Sequence, residues 1–427
     1  MKNFIISLLL CIVIFPSLSF GQAEVKIMQY NLLNYGNYTY YCTSQNNSTA
    51  NKNIYLKTIL DYVQPDIFTV NEMRAYTTKA DSILNGTLNV DGVTYYKRAD
   101  VTGSYLANML FYDSRKFKLV SQVAIGTSVR VVDVYTLYYL SPDVANNNDT
   151  VYLHCVVAHL KAGNGTTEAA SRAEMTNTTM NYLRNNFQSG NFLFMGDFNL
   201  YTSSEEAYQN IINPSDQTIV FNDPINKPGD WNENSSFEAY HTQSTHYDFS
   251  NTCTAGGGMD DRFDFILISD EIKNNIMKIS YKSGSYEAIG NDGDHYNSSV
   301  NYGTNNSVPS NIADALYNMS DHLPISLVLE INQTEVSGID DMKKQDFHFS
   351  YTNPISNQLE ISCENTKQQQ NEVELNTNLG HVVYKETINT STGNGSHIIP
   401  TTTHPDGLYL LKVSQNQKSI VKKIIKQ

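Results

Sequence analysis

Six stretches of this 427-residue chain run between apolar strand-like sequence and side chains that can bind a cation, orient water or move a proton. QYNLLNYG reaches Asn31, DIFTVNEMR reaches Glu72, and VVAHLKAG reaches His159. FLFMGDFN carries Asp197 and Asn199, DDRFDFILIS carries Asp264 between two aromatic residues, and MSDHLPISLVLEI sets Asp321 and His322 just before a strand. A single Asp or Asn at a strand end is ordinarily a turn or cap residue, and a single His is ordinarily a satisfied one. Six such ends are harder to explain that way. Carboxylate and carboxamide oxygens suit hard cations such as Mg²⁺, Mn²⁺ or Ca²⁺, and no Cys/His cluster has zinc spacing. A carboxylate and an amide on one side of a strand end, as alternation places Asp197 and Asn199, can hold a water and a phosphoryl oxygen. Phe198 then faces the opposite side and packs, and Gly196 removes a side chain where an ion or substrate would approach.

The elements that must position these residues are short apolar strands. VKIMQYNL, DIFTVNE, NMLFYD, VVDVYTLYYL, VYLHCVVAHL, NFLFMGD, RFDFILIS and PISLVLEI all read so. Helix-like segments lie between them, NIYLKTILDYV after Asn51 and EAASRAEMTNTTMNYLRNNF after Thr167. The mixture predicts a layered α/β fold of two packed mixed sheets with helices outside. Stretches 222–258 and 291–310, rich in Asn, Ser, Thr and Gly, read as long surface loops. Asp294 and His295 fall in the second and read as structural.

NEMR, AHLKAG, GDFN, DRFDFIL and SDHLPI, in this order, resemble the motif series of the endonuclease/exonuclease/phosphatase superfamily of metal-dependent phosphodiesterases, over about residues 24 to 332. That resemblance implies a four-layered α/β sandwich. It implies Glu72 as the principal ligand of a Mg²⁺ or similar ion, supported by Asn31 and with Asp321 beside the metal. Asp197 would orient or deprotonate the attacking water, and Asn199 would bind a phosphate oxygen. His322, held by Asp264, would act on the phosphate or nucleophile, and His159 would contact the phosphate or assist the leaving group. Arg74 falls where DNase-like members set a basic residue on the substrate. Two departures stand out. Asn71 replaces the Gln usual before the metal-binding Glu, and no carboxylate partner for His159 is evident.

The amino terminus, MKNF followed by IISLLLCIVIFPSLSFG, has the basic start, apolar run and small residues of a secretory signal peptide over 1–21, with cleavage near Gly21 and Gln22. No later segment is apolar for long enough to span a bilayer. Cys155 reads as a buried thiol, while Cys42 and Cys253 lie in polar loops and could pair in an oxidising compartment. The formal charge of −14 excludes a broad basic coat for nucleic acid or membranes, but not a small local patch acting with a metal ion.

Composition shifts after a linker at 336–346, which divides a catalytic domain over 22–335 from a small β-domain over 347–427. FSYTNPISNQLEIS and the basic end GLYLLKVSQNQKSIVKKIIKQ resemble the C-terminal sorting domain of the type IX secretion system, with Tyr351, Asn353, Pro354, Gly407, Tyr409, Lys422 and Lys423 on its pattern. This implies export through the periplasm by that machinery to the medium or cell surface. The expectation is a secreted phosphodiesterase, foremost an endonuclease on nucleic acid. The alternatives are a sphingomyelinase-like phospholipid phosphodiesterase, for which exposed aromatic loop tips would be expected and the polar loops give little sign, and a non-catalytic binding protein on the same fold.

Overall fold

The structure, a computed structural model, describes residues 23–140, 151–332 and 348–427 except 366–368, 378–381, 391–392 and 416–417. The expected signal peptide and linker lie outside the described residues. The chain divides into two compact units, Met1–Val336 and Ser337–Gln427.

The first unit holds two sheets. Its strands are β1 (Ala23–Tyr35), β2 (Ile67–Arg74), β3 (Tyr96–Arg98), β4 (Leu106–Asp113), β5 (Phe117–Ile125), β6 (Val132–Tyr139) and β7 (Tyr152–His159). They continue with β8 (Phe192–Asp197), β9 (Phe221–Asn222), β10 (Asp264–Ser269), β11 (Ile279–Tyr281), β12 (Glu287–Ala288) and β13 (Ile325–Ile331). One sheet runs β11-β13-β1-β2-β4-β3, with β12 also on β13; the other runs β5-β6-β7-β8-β10-β9. Both are mixed: β1 pairs parallel with β2 and β7 with β8, while the remaining pairings are antiparallel. Helices cover the outer faces, α1 (Thr49–Val63), α2 (Thr77–Ile83), α3 (Thr166–Asn186), α4 (Glu206–Ile212), α5 (Asp270–Lys273) and α6 (Ser310–Met319). This is the four-layered α/β sandwich.

Strand alternation sorts the residues into layers. Leu193 and Met195 of β8 and Ile266 and Ile268 of β10 enter the core between the sheets. Phe192, Phe194, Phe265 and Leu267 face the opposite way, onto Met175, Met180 and Leu183 of α3 and Ile211 of α4. Each such fully buried side chain contributes roughly 1.5–3 kcal/mol. The same alternation puts Asp197 and Asp264, opposite each other in register, at the top of the inter-sheet layer. Phe198 lies in the outer layer, stacked on Phe265 at 5.2 Å.

The eight strand-like sequences all form strands. The sequence reading missed β5, an edge strand whose FKLVSQVAI neither alternates nor runs apolar without interruption and is mostly exposed. It also missed the two- and three-residue strands and the short helices α2, α4, α5 and α6.

The second unit is all-β. Its strands form a three-stranded and a four-stranded sheet around a core that includes Leu359, Ile361, Val373, Leu375, Leu411, Val413 and Ile424. Asn353, from the expected opening motif, donates from Nδ2 to the Lys423 carbonyl and accepts at Oδ1 from the Ile425 N–H, so this motif is bonded to the last strand.

Candidate active site

Six of the expected residues meet at one end of the inter-sheet layer. Asn31 stands at the centre: Nδ2 donates to Asp197 Oδ2 at 2.9 Å and to Glu72 Oε1 at 3.3 Å, and lies 3.5 Å from His322 Nε2. Its Oδ1 accepts from the Leu33 N–H, which fixes the amide with its nitrogen toward the cluster. Buried Lys52 of α1 holds the same turn, donating to the Leu32 and Leu33 carbonyls at 2.7 Å each.

Glu72 reaches the cluster by a break in register. β2 slips between Val70 and Met73 against β4, and Glu72 adopts φ 59°, in the left-handed region. Strict alternation would point Asn71 inward and Glu72 away. The irregularity lets both serve, since a bulge re-aims one side chain without ending the strand. Glu72 Oε2 accepts from the Asn34 N–H at 2.9 Å. Asn71, whose role the sequence left open, is a buried junction between the sheets. Its Oδ1 accepts from the Asp197 N–H at 2.9 Å and from Gln29 Nε2 at 2.7 Å, and its Nδ2 donates to Asn108. The shorter side chain ties the floor of the site.

Asp264 Oδ2 accepts from His322 Nδ1 at 2.7 Å and from Thr242 Oγ1 at 2.7 Å. His322 Nε2 faces the Gln243 amide at 2.7 Å and lies 3.7 Å from Asp197 Oδ2. Burial disfavours the His322 cation, but the Asp264 carboxylate and then Asp197 outweigh this and hold the ring well above the ordinary histidine range. Burial, then the nearby Asp264 and Glu72 carboxylates, push Asp197 up to about 7, against the opposing pull of His322. The two groups thus compete for one proton. Asp264 is held in place through its strand: Arg262 donates to both carboxylate oxygens of Asp223 at 2.8 and 2.9 Å and lies over the Phe265 ring.

The partner of His159 is an arginine. Arg130, in the turn between β5 and β6, points Nη1 at His159 Nδ1. A guanidinium only donates, so Nδ1 accepts and the neutral ring carries its proton on Nε2. That N–H lies 3.5 Å from Asp197 Oδ2 and 3.7 Å from Glu72 Oε1. Burial, then the Arg130 and His322 charges, hold His159 well below the usual histidine range. Arg130 and Gln243 were missed by the sequence reading. Both come from irregular loops, where neither period nor motif marks them.

Asn199 follows the strand end at φ 50°, where alternation no longer applies; its N–H donates to Asp197 Oδ1 at 3.0 Å and its Nδ2 to the Leu160 carbonyl. Gly196 has a different reason from the one expected. It has φ 143°, and a Cβ there would stand 1.7 Å from the Ala158 carbonyl oxygen of β7, so close strand packing requires glycine.

One group of described residues could share a cation: ligand atoms of Glu72, His159 and Asp197 all lie within 4.8 Å of one another. The resemblance had put the ion on Glu72, Asn31 and Asp321. Asn31 presents its amide nitrogen to this group. Asp321 turns Oδ2 to the Ala255 N–H at 2.9 Å and is not in the group. Arg74 lies near, with Nη1 on Asn37 Oδ1 at 3.1 Å and its guanidinium over the rings of Tyr76 and Tyr105. Buried Asp197 and half-buried Glu72 converge on one amide nitrogen, and with Asp197 pushed upward by burial and its neighbours they form an anionic cluster that a divalent cation would relieve. The residues therefore fit a hard cation.

Cys42 and Cys253 form a disulfide, and Cys155 is a buried free thiol, as read from the sequence. The bond joins the loop after β1 to the loop around 247–257 at the rim of the site. Both loops expose aromatic tips, Tyr40, Tyr41 and Phe249, of which the sequence reading found little sign. A cavity of about 450 Å³ at the opposite end of the first sheet is lined by paired charges, Asp113 with Arg115 and Asp66 with Lys116, and takes no part in this site.

Fold and site define a four-layered sandwich with a polar cluster at the ends of its strands. Among solved structures the chain is similar to the human Nocturnin catalytic domain, with 15% identity, a TM-score of 0.45, and 73% of this chain and 97% of that one covered. It is similar to an endonuclease/exonuclease/phosphatase from Beutenbergia cavernae, at 12% identity and TM-score 0.40 over 94% and 99% of the two chains. D. rerio TDP2 is similar at 13% identity and TM-score 0.44 over 72% and 99%. The likeness is one of fold alone. No sequence among the curated proteins matches this one.

The tail has a family. Residues 350–427 match the model of the secretion system C-terminal sorting domain. That domain directs export by type IX secretion, so the protein is secreted or held at the cell surface. Among the described residues no helix is long and apolar enough to cross a membrane.

Proposed function

We propose that this protein is an extracellular, metal-dependent phosphodiesterase acting on nucleic acid, foremost as an endonuclease. The observation that carries the reading is the meeting of Asn31, Glu72, His159, Asp197, Asp264 and His322, from separate strand ends, within hydrogen-bonding or near-contact distance of one another. Glu72 and Asp197 would hold a Mg²⁺, Mn²⁺ or Ca²⁺ ion; His159 would not, because the Arg130 contact leaves its facing nitrogen protonated. When bound, such an ion supplies stabilisation of charge developing on phosphoryl oxygens.

The chain's own residues divide the rest. Asp197 orients the attacking water and receives its proton as the new P–O bond forms and the bond to the leaving oxygen breaks. His322, held as the imidazolium by Asp264, donates from Nε2 toward the phosphate. The Nε2–H of His159 and the amide of Asn199 donate to phosphoryl oxygens, and such donors aimed at developing charge typically contribute about 3–4 kcal/mol each in a closed site. Arg74 meets the substrate beyond the scissile bond.

A phospholipid phosphodiesterase is the second reading, favoured by the exposed Tyr40, Tyr41 and Phe249. The complete polar set disfavours a purely non-catalytic binding protein. The test is to incubate the exported protein with supercoiled plasmid and Mg²⁺, beside chelated and Asp197→Ala controls. Nicking lost in both controls supports the endonuclease; intact plasmid in every lane rules it out and turns the search to sphingomyelin and RNA.

A further inference from the structure

The rim of the site carries large exposed rings. Tyr40 is 90% exposed, Phe249 75%, Tyr41 63%, and Tyr76 and Tyr105 52% each. Scattered single rings need no explanation, but these are linked to one another and to the catalytic cluster. Asn34, whose N–H binds Glu72, accepts at Oδ1 from Asn37 at 2.7 Å. Asn37 in turn accepts from Arg74 at 3.1 Å and donates to the Tyr105 hydroxyl at 3.2 Å. Arg74 lies 4.8 Å from the centre of the Tyr76 ring and 4.7 Å from that of Tyr105. Farther along the same loop, Tyr40 and Tyr41 meet edge to face at 5.1 Å. The loop that bears Phe249 is clamped to them by the Cys42–Cys253 disulfide and by Thr252 donating to the Tyr41 carbonyl at 3.0 Å. The rings thus sit on elements tied to one another and to Glu72, so little ordering cost opposes binding.

We propose that these exposed rings serve as a stacking platform for unpaired nucleobases, making single-stranded nucleic acid the preferred substrate; the proposal rests on the phosphodiesterase reading of the adjoining cluster. Aromatic and guanidinium faces stack on bases of any sequence. A duplex hides those base faces and offers mainly its phosphates. The chain is poorly suited to phosphates alone: it carries 43 acidic against 29 basic residues, and a single guanidinium, that of Arg74, packs on the Tyr76 and Tyr105 rings. Stacking must then supply affinity that charge does not, with a shallow dependence on salt.

The experiment uses the full exported chain carrying Asp197→Asn to suppress turnover. Fluorescence anisotropy compares a labelled single strand of about 12 nucleotides, an abasic strand of the same length, and the matching duplex. The base-bearing single strand is expected to bind at least about tenfold more tightly than either, and Tyr40→Ala, Tyr41→Ala and Phe249→Ala each to weaken it by roughly fivefold or more. Equal binding of the abasic strand, or tighter binding of the duplex, overturns the proposal, and this comparison leaves the rim unmutated. Sedimentation with phosphatidylcholine–sphingomyelin vesicles that depends on the same three rings, with no preference for bases, assigns the rings to a lipid surface and also overturns it. Hydrolysis of bis(p-nitrophenyl) phosphate by the unmutated chain in Mg²⁺ is followed alongside. Its failure removes the phosphodiesterase reading, whereas a loss of base preference with hydrolysis intact removes only the platform.

Discussion

Gly196 and Arg130 show what single positions do here. Replacing Gly196 by Ala would place a Cβ 1.7 Å from a backbone oxygen at φ 143°, and backbone cannot move aside as a flexible side chain can. Gly196→Ala should therefore destabilise the protein by about 2 kcal/mol or more, read as a lower midpoint in chemical denaturation. An unchanged midpoint would show that β7 and β8 can separate freely. Arg130 acts through His159, so Arg130→Met should lower phosphodiester cleavage roughly tenfold to a hundredfold, as loss of a partner that orients a functional side chain does. The Arg130→Met, His159→Ala double variant should be scarcely worse than His159→Ala, and additive losses would separate the two residues. Asn31, Glu72, Asp197, Asp264 and His322 were legible in the sequence because each interrupts an apolar strand with a polar side chain at its end. Arg130 and Gln243 were not, because a loop residue reaches a site only through the fold that brings it there.

At the scale of elements, β7 and β8 show how packing sets a titration. His154 of β7 lies against the rings of Phe187 and Phe192 at 4.8 and 4.6 Å, and burial pushes its pKa from 6.5 down to about 4. The ring is neutral when folded, while the unfolded chain protonates it from pH 6.5 downward. The unfolded state then binds more protons, so stability falls as pH drops from 6.5 to about 4, by about 3 kcal/mol for this group. Denaturation at several pH values should show a shallower acid slope in His154→Phe than in the parent; equal slopes would contradict the buried neutral ring. The strands that build both sheets could be read from their apolar runs. The bulge that turns Glu72 inward could not, since a strand's period is silent about where it is broken. Edge strand β5 was missed because its apolar residues do not alternate, in keeping with a strand that leaves five of its nine positions exposed.

At the scale of the whole molecule, the proposed active site and the sorting domain belong to separate units, each with its own apolar core. Deleting residues 348–427 should retain the protein in the periplasm while cells expressing the full chain release it or display it outside, as fractionation would show. Equal external amounts would mean that the sorting tail is dispensable. The acidic surface has a consequence for the catalytic unit as well. With a net charge of −14 on the chain and the Glu72 and Asp197 carboxylates converging on Asn31, the proposed chemistry calls for added positive charge at the site. The measurement that tests this most directly is the rate of bis(p-nitrophenyl) phosphate hydrolysis by the exported chain as Mg²⁺ is returned after chelation, beside Asp197→Ala. A rate that is negligible without the ion, rises to saturation with it, and falls at least about a hundredfold in the variant is the result predicted. Hydrolysis indifferent to both the ion and Asp197, or absent under every condition, would contradict the account.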